Sequence, residues 1–358
     1  MSTWMHSRSS TTAAPRADPS PSTQLGVPAT AGTPSTGSAK TGHPVTRSTS
    51  PRNNPPSFPA VRRPARRQVS YWWYLTPITL GFTGIVLIPF LANIGFSLFK
   101  WKGGLAPFRW YGLGNYLDLL QDEQFWLAFK NSLFMVVAIV VIPTAIGILL
   151  AAMLFDYLGR KFGTRLATFL RATYYLPQIL PVAVAGFIWS WILDPANGSI
   201  NTFLRSIGIT EGPDWLGSPD LAIYSVMAML VWLQIGYPVV VFMAALSRVD
   251  PELYEAAALD GAGWWRQFSA ITMPTIRPEM FIVVLTATVA ALKVFAPILI
   301  LTGGGPEGST IVPSYYAYRN FFELSQVGYG STIATVMSIV IFVVAAALLW
   351  WQRRTENA

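Results

Sequence analysis

Apolar residues gather along this chain into six long stretches, at 71–99, 131–155, 167–193, 221–246, 278–301 and 329–351. A helix needs about 20 mostly apolar residues to cross a bilayer's hydrocarbon core, and each stretch is long enough. The pattern predicts an all-α, polytopic membrane protein with six transmembrane helices, and an even number of spans puts both chain ends on one side. Residues 1–66 read differently. They are rich in Ser, Thr, Pro, Ala and Gly, with almost no large apolar side chains, and cannot bury enough surface to offset their ordering entropy. The expected organisation is a disordered basic tail over 1–66, a membrane domain over 67–352 and a short tail over 353–358.

Composition narrows the chemistry. Charged residues make up 12% of the chain, against roughly 25% in an ordinary soluble domain. There is no cysteine, and His6 and His43, the only histidines, fall in the tail. Disulfides, thiolate metal sites and histidine catalysis in the membrane part are therefore excluded, and neither a metal nor a resident cofactor is expected. The net charge of +8 also belongs to the tail: residues 1–70 hold nine of the 25 Lys/Arg and one of the 17 acids. It is therefore no nucleic-acid face. The last cluster, Arg62, Arg63, Arg66 and Arg67, directly precedes the first span, where it would hold the tail in the cytoplasm and touch anionic lipid. Loops 156–171 and 247–277, with Arg353 and Arg354, carry nine Lys/Arg against six on the opposite side, which places both termini in the cytoplasm. The opposite loops hold nine acids and a belt of aromatics that includes Trp101, Trp110, Trp191 and Trp215. The first apolar run is too long for a cleavable signal, and no inverted repeat is visible.

The loop before the fifth stretch runs RVDPELYEAAALDGAGWWRQFSAITMPTIRP from Arg248. Asp250 suits an N-cap, Pro251 the first helical position, and Glu252 and Glu255 the positive end of the helix dipole. Gly261 and Gly263 allow a reversal into a second short helix from Trp264 to about Ile271. Pro274 and Pro278 are expected to separate this unit from the fifth span. By itself the segment reads equally as a protruding docking knob or as an amphipathic connector on the bilayer surface.

Glu255, Ala256, Ala257, Asp260, Gly261, Ala262, Phe268, Ile271, Pro274 and Pro278 resemble, in identity and spacing, the EAA loop of the membrane subunits of binding-protein-dependent ABC importers. GLGNYLDLL from Gly112, YYLPQILP and IWSWILDPANGSIN between Tyr174 and Asn201, ILTGGGPEGST from Ile300, and the later YAYRNFF and VGYGSTIA are similar to the maltose-type carbohydrate permeases. The resemblance covers 71–352. It implies an inner-membrane permease subunit with a coupling-helix loop over 248–277, carrying a di- or oligosaccharide. It further implies a heterodimer with a second, similar permease, two ATPase subunits that bind the ATP and Mg, and an extracytoplasmic sugar-binding protein. Glu255 would pair with a basic residue of the ATPase, and Gly261 would make the turn. Related sequences often carry an acid where Ala296 stands here.

Gly303, Gly305 and Gly308 satisfy the G-x-G-x-x-G spacing, with Glu323 some 20 residues on. The dinucleotide reading is rejected, because the preceding run has helical length, Pro306 interrupts the motif and no helix opens after it. Gly303, Gly304, Gly305 and Pro306 better suit a loop that lets a docked binding protein approach closely. No G-x-x-x-x-G-K-[ST] occurs, so a partner must hydrolyse the ATP. Two readings of Lys293 stand side by side: a substrate-pathway group, or a stem climbing to the interface. Trp189, Gln234 and Tyr237 either line a sugar path or pack helices. Two other kinds of transporter stay open: an ABC permease for glycerol phosphate or another solute, and an ion-coupled secondary transporter. The latter would carry buried acids, whereas Glu279 is expected at a span end. A membrane-embedded enzyme has no histidine, cysteine or clustered carboxylates to work with.

Overall fold

The computed structural model describes residues 72–154 and 164–356; the basic tail and the centre of the loop near 156–163 lie outside them. Among the described residues, five helices are long and apolar enough to cross a bilayer: Trp73–Ser97, Glu123–Ala152, Ala222–Leu246, Trp264–Leu292 and Val327–Thr355. The stretch expected as a straight third span is instead two helices, Phe169–Ile179 and Val182–Ile192, bent by 95°. Counted as one broken span, they complete the expected six. Proline explains the break: the helical region is disfavoured at Leu180 because Pro181 follows it.

The fifth span departs further from expectation. It begins at Trp264, not near 278, and ends at Leu292, not 301. Pro274 and Pro278 therefore do not separate the preceding loop from the span. A π segment, Phe268–Thr272, directly precedes the α-helix Met273–Leu292. Its wider turn accommodates Pro274, whose missing N–H falls at that helix's start, and only Pro278 sits inside the regular ladder. Lys293 is consequently the residue that closes the helix, and Ala296–Leu301 forms a separate short helix. At 29 residues the helix is about 43 Å long, more than the hydrocarbon core requires. Glu279 lies near the start of the helix Met273–Leu292, ion-paired to Arg248.

Between the first and second spans lies a two-stranded antiparallel ribbon, Phe99–Lys100 with Arg109–Trp110. Strands of two residues leave no periodicity to read.

The two larger of three apolar clusters among the described residues run along the bundle. Met135 and Ile139 of the second span meet Val226 and Leu230 of the fourth, Ile298 and Ile311 beyond the fifth, and Ile333 of the sixth. Toward the other end, Ala151, Val239, Phe242, Leu246, Ile276 and Val283 form the second cluster. Small residues bring the helix backbones close. A Cβ on Gly147 would strike Pro238, and one on Gly236 would strike the Tyr174 carbonyl and come within 2.7 Å of the Tyr175 Cα. Backbone cannot yield as a side chain can. Gly236→Ala is expected to destabilise the bundle by about 1–3 kcal/mol, seen as a lower melting temperature in detergent. Gly95→Ala, where nothing lies within 4 Å, should leave that temperature unchanged.

Candidate functional site

The loop over 248–277 folds from local signals. The Asp250 side chain accepts the Glu252 N–H at 3.0 Å and starts the helix Pro251–Leu259, as its sequence predicts. At the other end the Gly261 N–H donates to the Ala258 carbonyl, and the Ala262 N–H to the Ala257 carbonyl. This bond pair is a Schellman cap, and it requires the left-handed conformation that Gly261 adopts, φ +77°. Tyr254 is buried, its hydroxyl 3.0 Å from that of buried Thr272. That contact ties the short helix to the π segment at the base of the fifth span. Glu255, Ala256, Asp260 and Gly261 are exposed, and Ala257, Ala262 and Phe268 half-buried. Leu259 is 90% and Trp265 70% exposed. Carboxylates and apolar side chains thus lie bare side by side on this loop.

Gly261→Val forces a β-branched residue into positive φ, a strain of about 1–3 kcal/mol. It should raise protease cleavage of this loop about tenfold, whereas Gly263→Ala, at φ −66° with nothing within 4 Å of its Cβ, should not.

The second feature is a cavity at two helix breaks. It measures about 460 Å³ and is bounded by Leu180 and Val182, beside the third-span bend, and by the residues from Lys293 to Pro297, where the fifth span ends. An adjoining space of about 200 Å³ shares Ile139, Gln178, Gln234 and Ala290 with it and adds Thr144, Tyr237 and Thr286. Gln234, Tyr237 and Lys293 are thus brought together. Trp189 is not: it packs against Trp232, ring centroids 5.9 Å apart, beside the buried Ala185, Met229 and Leu233. Gln178 and Thr144 were missed in the sequence, because nothing in a lone glutamine or threonine says which way it faces. Their Oε1 and Oγ1 atoms are buried without a hydrogen-bond partner. Buried polar atoms are nearly always paired, so these two depart from the usual pattern.

The glycine-rich loop follows the short helix Ala296–Leu301. Gly303, Gly304 and Gly308 all have positive φ, from +55° to +80°, and a Cβ on Gly304 would come within 2.5 Å of the Tyr315 ring. Asn131 of the second span donates to the Ser309 and Ile311 carbonyls, each at 2.9 Å, and clasps the loop. Gly303, Gly304 and Gly305 border an open depression with Gln124, Arg319 and Glu323, and helix formation resumes only at Pro313. A third residue missed in the sequence is Asp122. One of its oxygens caps the Glu123–Ala152 helix, and the other accepts the Tyr316 and Tyr329 hydroxyls at 2.6 and 2.5 Å. Burial, then the bond to Asp122, raises the Tyr316 hydroxyl above its ordinary pKa, so it stays a donor. An acid just before an apolar run is an N-cap signal that could have found it. Among the described residues no cluster of three or more His, Cys, Asp or Glu could hold a metal.

A bundle of apolar spans around a mainly apolar cavity that carries a few polar side chains, with a capped helical loop at one end, defines a membrane permease. The chain belongs to the family of binding-protein-dependent transport system inner membrane components, which it matches over residues 143–357. It is 34% identical over 273 residues to the "Probable ABC transporter permease protein YurN" of Bacillus subtilis (strain 168), covering 76% of this chain and 92% of that one. It is 32% identical over 303 residues to the "Diacetylchitobiose uptake system permease protein NgcF" of Streptomyces coelicolor, covering 80% and 85%. Its fold is that of a bacterial ABC transporter involved in the import of alginate, with a TM-score of 0.69 at 24% identity over 79% of this chain and 95% of the other. The protein is therefore a multi-pass inner-membrane subunit of an ABC importer and not an enzyme, with the ATPase on a separate subunit.

Proposed function

We propose that this chain conducts a di- or oligosaccharide through the cavity at the two helix breaks. The observation that carries this reading is a cavity lined by Gln234, Tyr237 and Lys293 together with Gln178 and Thr144, each of which keeps an oxygen without a hydrogen-bond partner. Amide, hydroxyl and ammonium groups set among apolar walls suit a polyol, and an uptake system for diacetylchitobiose among the relatives supports a carbohydrate. Both termini lie in the cytoplasm, so the 248–277 loop meets one of two ATPase subunits, with Glu255 and Asp260 reaching for basic side chains. A second, similar permease completes the pathway. The glycine-rich loop from Gly303 to Pro306 faces an extracytoplasmic sugar-binding protein. Because Trp264–Leu292 is a continuous helix, movement of the docked loop reaches Lys293 directly. The binding protein and ATP must favour the same conformer for import to be coupled.

One observation favours a second reading. Among the described residues, no carboxylate lies within ion-pair distance of Lys293, which suits an acidic sugar or glycerol phosphate.

Uptake of labelled solutes into cells or proteoliposomes decides. Gln178→Leu and Thr144→Val should each lower sugar uptake about tenfold, the worth of one hydrogen bond to a buried group. Full uptake in both would sink the cavity as the pathway. Lys293→Gln should spare a neutral sugar and abolish uptake of an anionic solute. In a pull-down from native membranes, Glu255→Lys should release the ATPase while the amount of permease in the membrane stays unchanged; retained ATPase would remove the docking role.

A further inference from the structure

A separate pocket of about 390 Å³ opens between the ribbon and the start of the sixth span, lined by Lys100, Lys102, Trp101 and Asp118. Its depth relative to a bilayer follows from the chain. Lys100 comes three residues after Ser97, the last residue of the first span. Gln326, on the opposite wall, immediately precedes Val327, the first residue of the sixth. The pocket therefore lies where two spans leave the hydrocarbon, in the headgroup layer. Trp101 stacks on Phe108 with centroids 4.3 Å apart, an amphipathic pairing at home at that depth.

The walls are fixed. The Gly328 N–H donates to the Trp101 carbonyl at 3.1 Å, and the Asn115 amide donates to the Ser97 and Phe99 carbonyls at 2.8 and 3.0 Å. The charges inside are left over. Among the described residues, no carboxylate lies within ion-pair distance of Lys100 or Lys102, and Lys100 sits over the Tyr111 ring at 5.0 Å. Asp118 accepts one bond, from the Tyr111 hydroxyl at 3.3 Å. Two ammonium groups without an ion-pair partner and a carboxylate, in one pocket at headgroup depth, complement a ligand with a phosphate and an amine.

We propose that this pocket binds the headgroup of a phospholipid carrying a primary ammonium. Its phosphodiester lies against Lys100 and Lys102, and its ammonium donates to Asp118. Soluble glycerophosphoethanolamine carries the same groups; the position at the ends of two spans assigns the ligand to the bilayer.

The test uses the full chain, purified with the subunits it retains, in nanodiscs containing phosphatidylethanolamine with a photoactivatable diazirine in its acyl chain. Adducts are mapped by peptide mass spectrometry. They should concentrate on the ends of the first and sixth spans and fall tenfold or more in K100Q/K102Q, as expected for two lysines beside a headgroup. D118N should lower phosphatidylethanolamine adducts while leaving those of phosphatidylglycerol unchanged. Wild-type protein should prefer phosphatidylethanolamine over phosphatidylcholine, whose quaternary ammonium has no N–H to donate. Adducts unaffected by K100Q/K102Q overturn the proposal, and equal labelling by phosphatidylcholine overturns the role of Asp118. Loss of adducts on adding glycerophosphoethanolamine would replace the lipid by a soluble ligand.

Discussion

A helix that breaks inside a bilayer leaves amides and carbonyls that hydrocarbon cannot satisfy, so a break must face protein or a water-filled space. Among the described residues, two such breaks, at Leu180–Pro181 and just after Leu292, open onto the same cavity. The rest of the architecture serves that meeting. Spans two, four and five converge there, Gly236 lets the fourth lie against the backbone of the third, and two residues with an unpaired polar atom, Gln178 and Thr144, line the shared space. The cavity follows from where the helices stop.

The same fifth helix joins the cavity to the protruding loop. Its π segment is braced by the contact between Tyr254 and Thr272, and its far end is Lys293. The Arg248–Glu279 ion pair closes the loop at its neck, linking the end of the fourth span to the fifth. A loop capped at both ends, closed at its neck and continuous with a span can transmit displacement without first being ordered. At the opposite end, Asn131 and Asp122 bind the glycine-rich loop, Tyr316 and the sixth span to the second span. Each end of the bundle thus has a polar clasp, and the cavity lies between them.

What the sequence by itself determined is local or one-dimensional: six apolar stretches of spanning length, the Asp250–Pro251 start of the loop helix, its end at Gly261, and the family pattern around Glu255. Length, caps and positive-φ glycines act over a few residues, so their signals survive without knowledge of the fold. Tertiary structure decided what depends on direction and partner. Pro181 breaks a span, whereas Pro274 and Pro278 do not, because a π segment accommodates one and a long helix tolerates the other. Of the four residues considered for the substrate path, Gln234, Tyr237 and Lys293 turn toward the cavity and Trp189 turns to Trp232. Gln178 and Thr144 gain meaning only because neighbouring helices bury them without a partner. A helix face is set by what packs against it, and that information lies in residues far away in the chain.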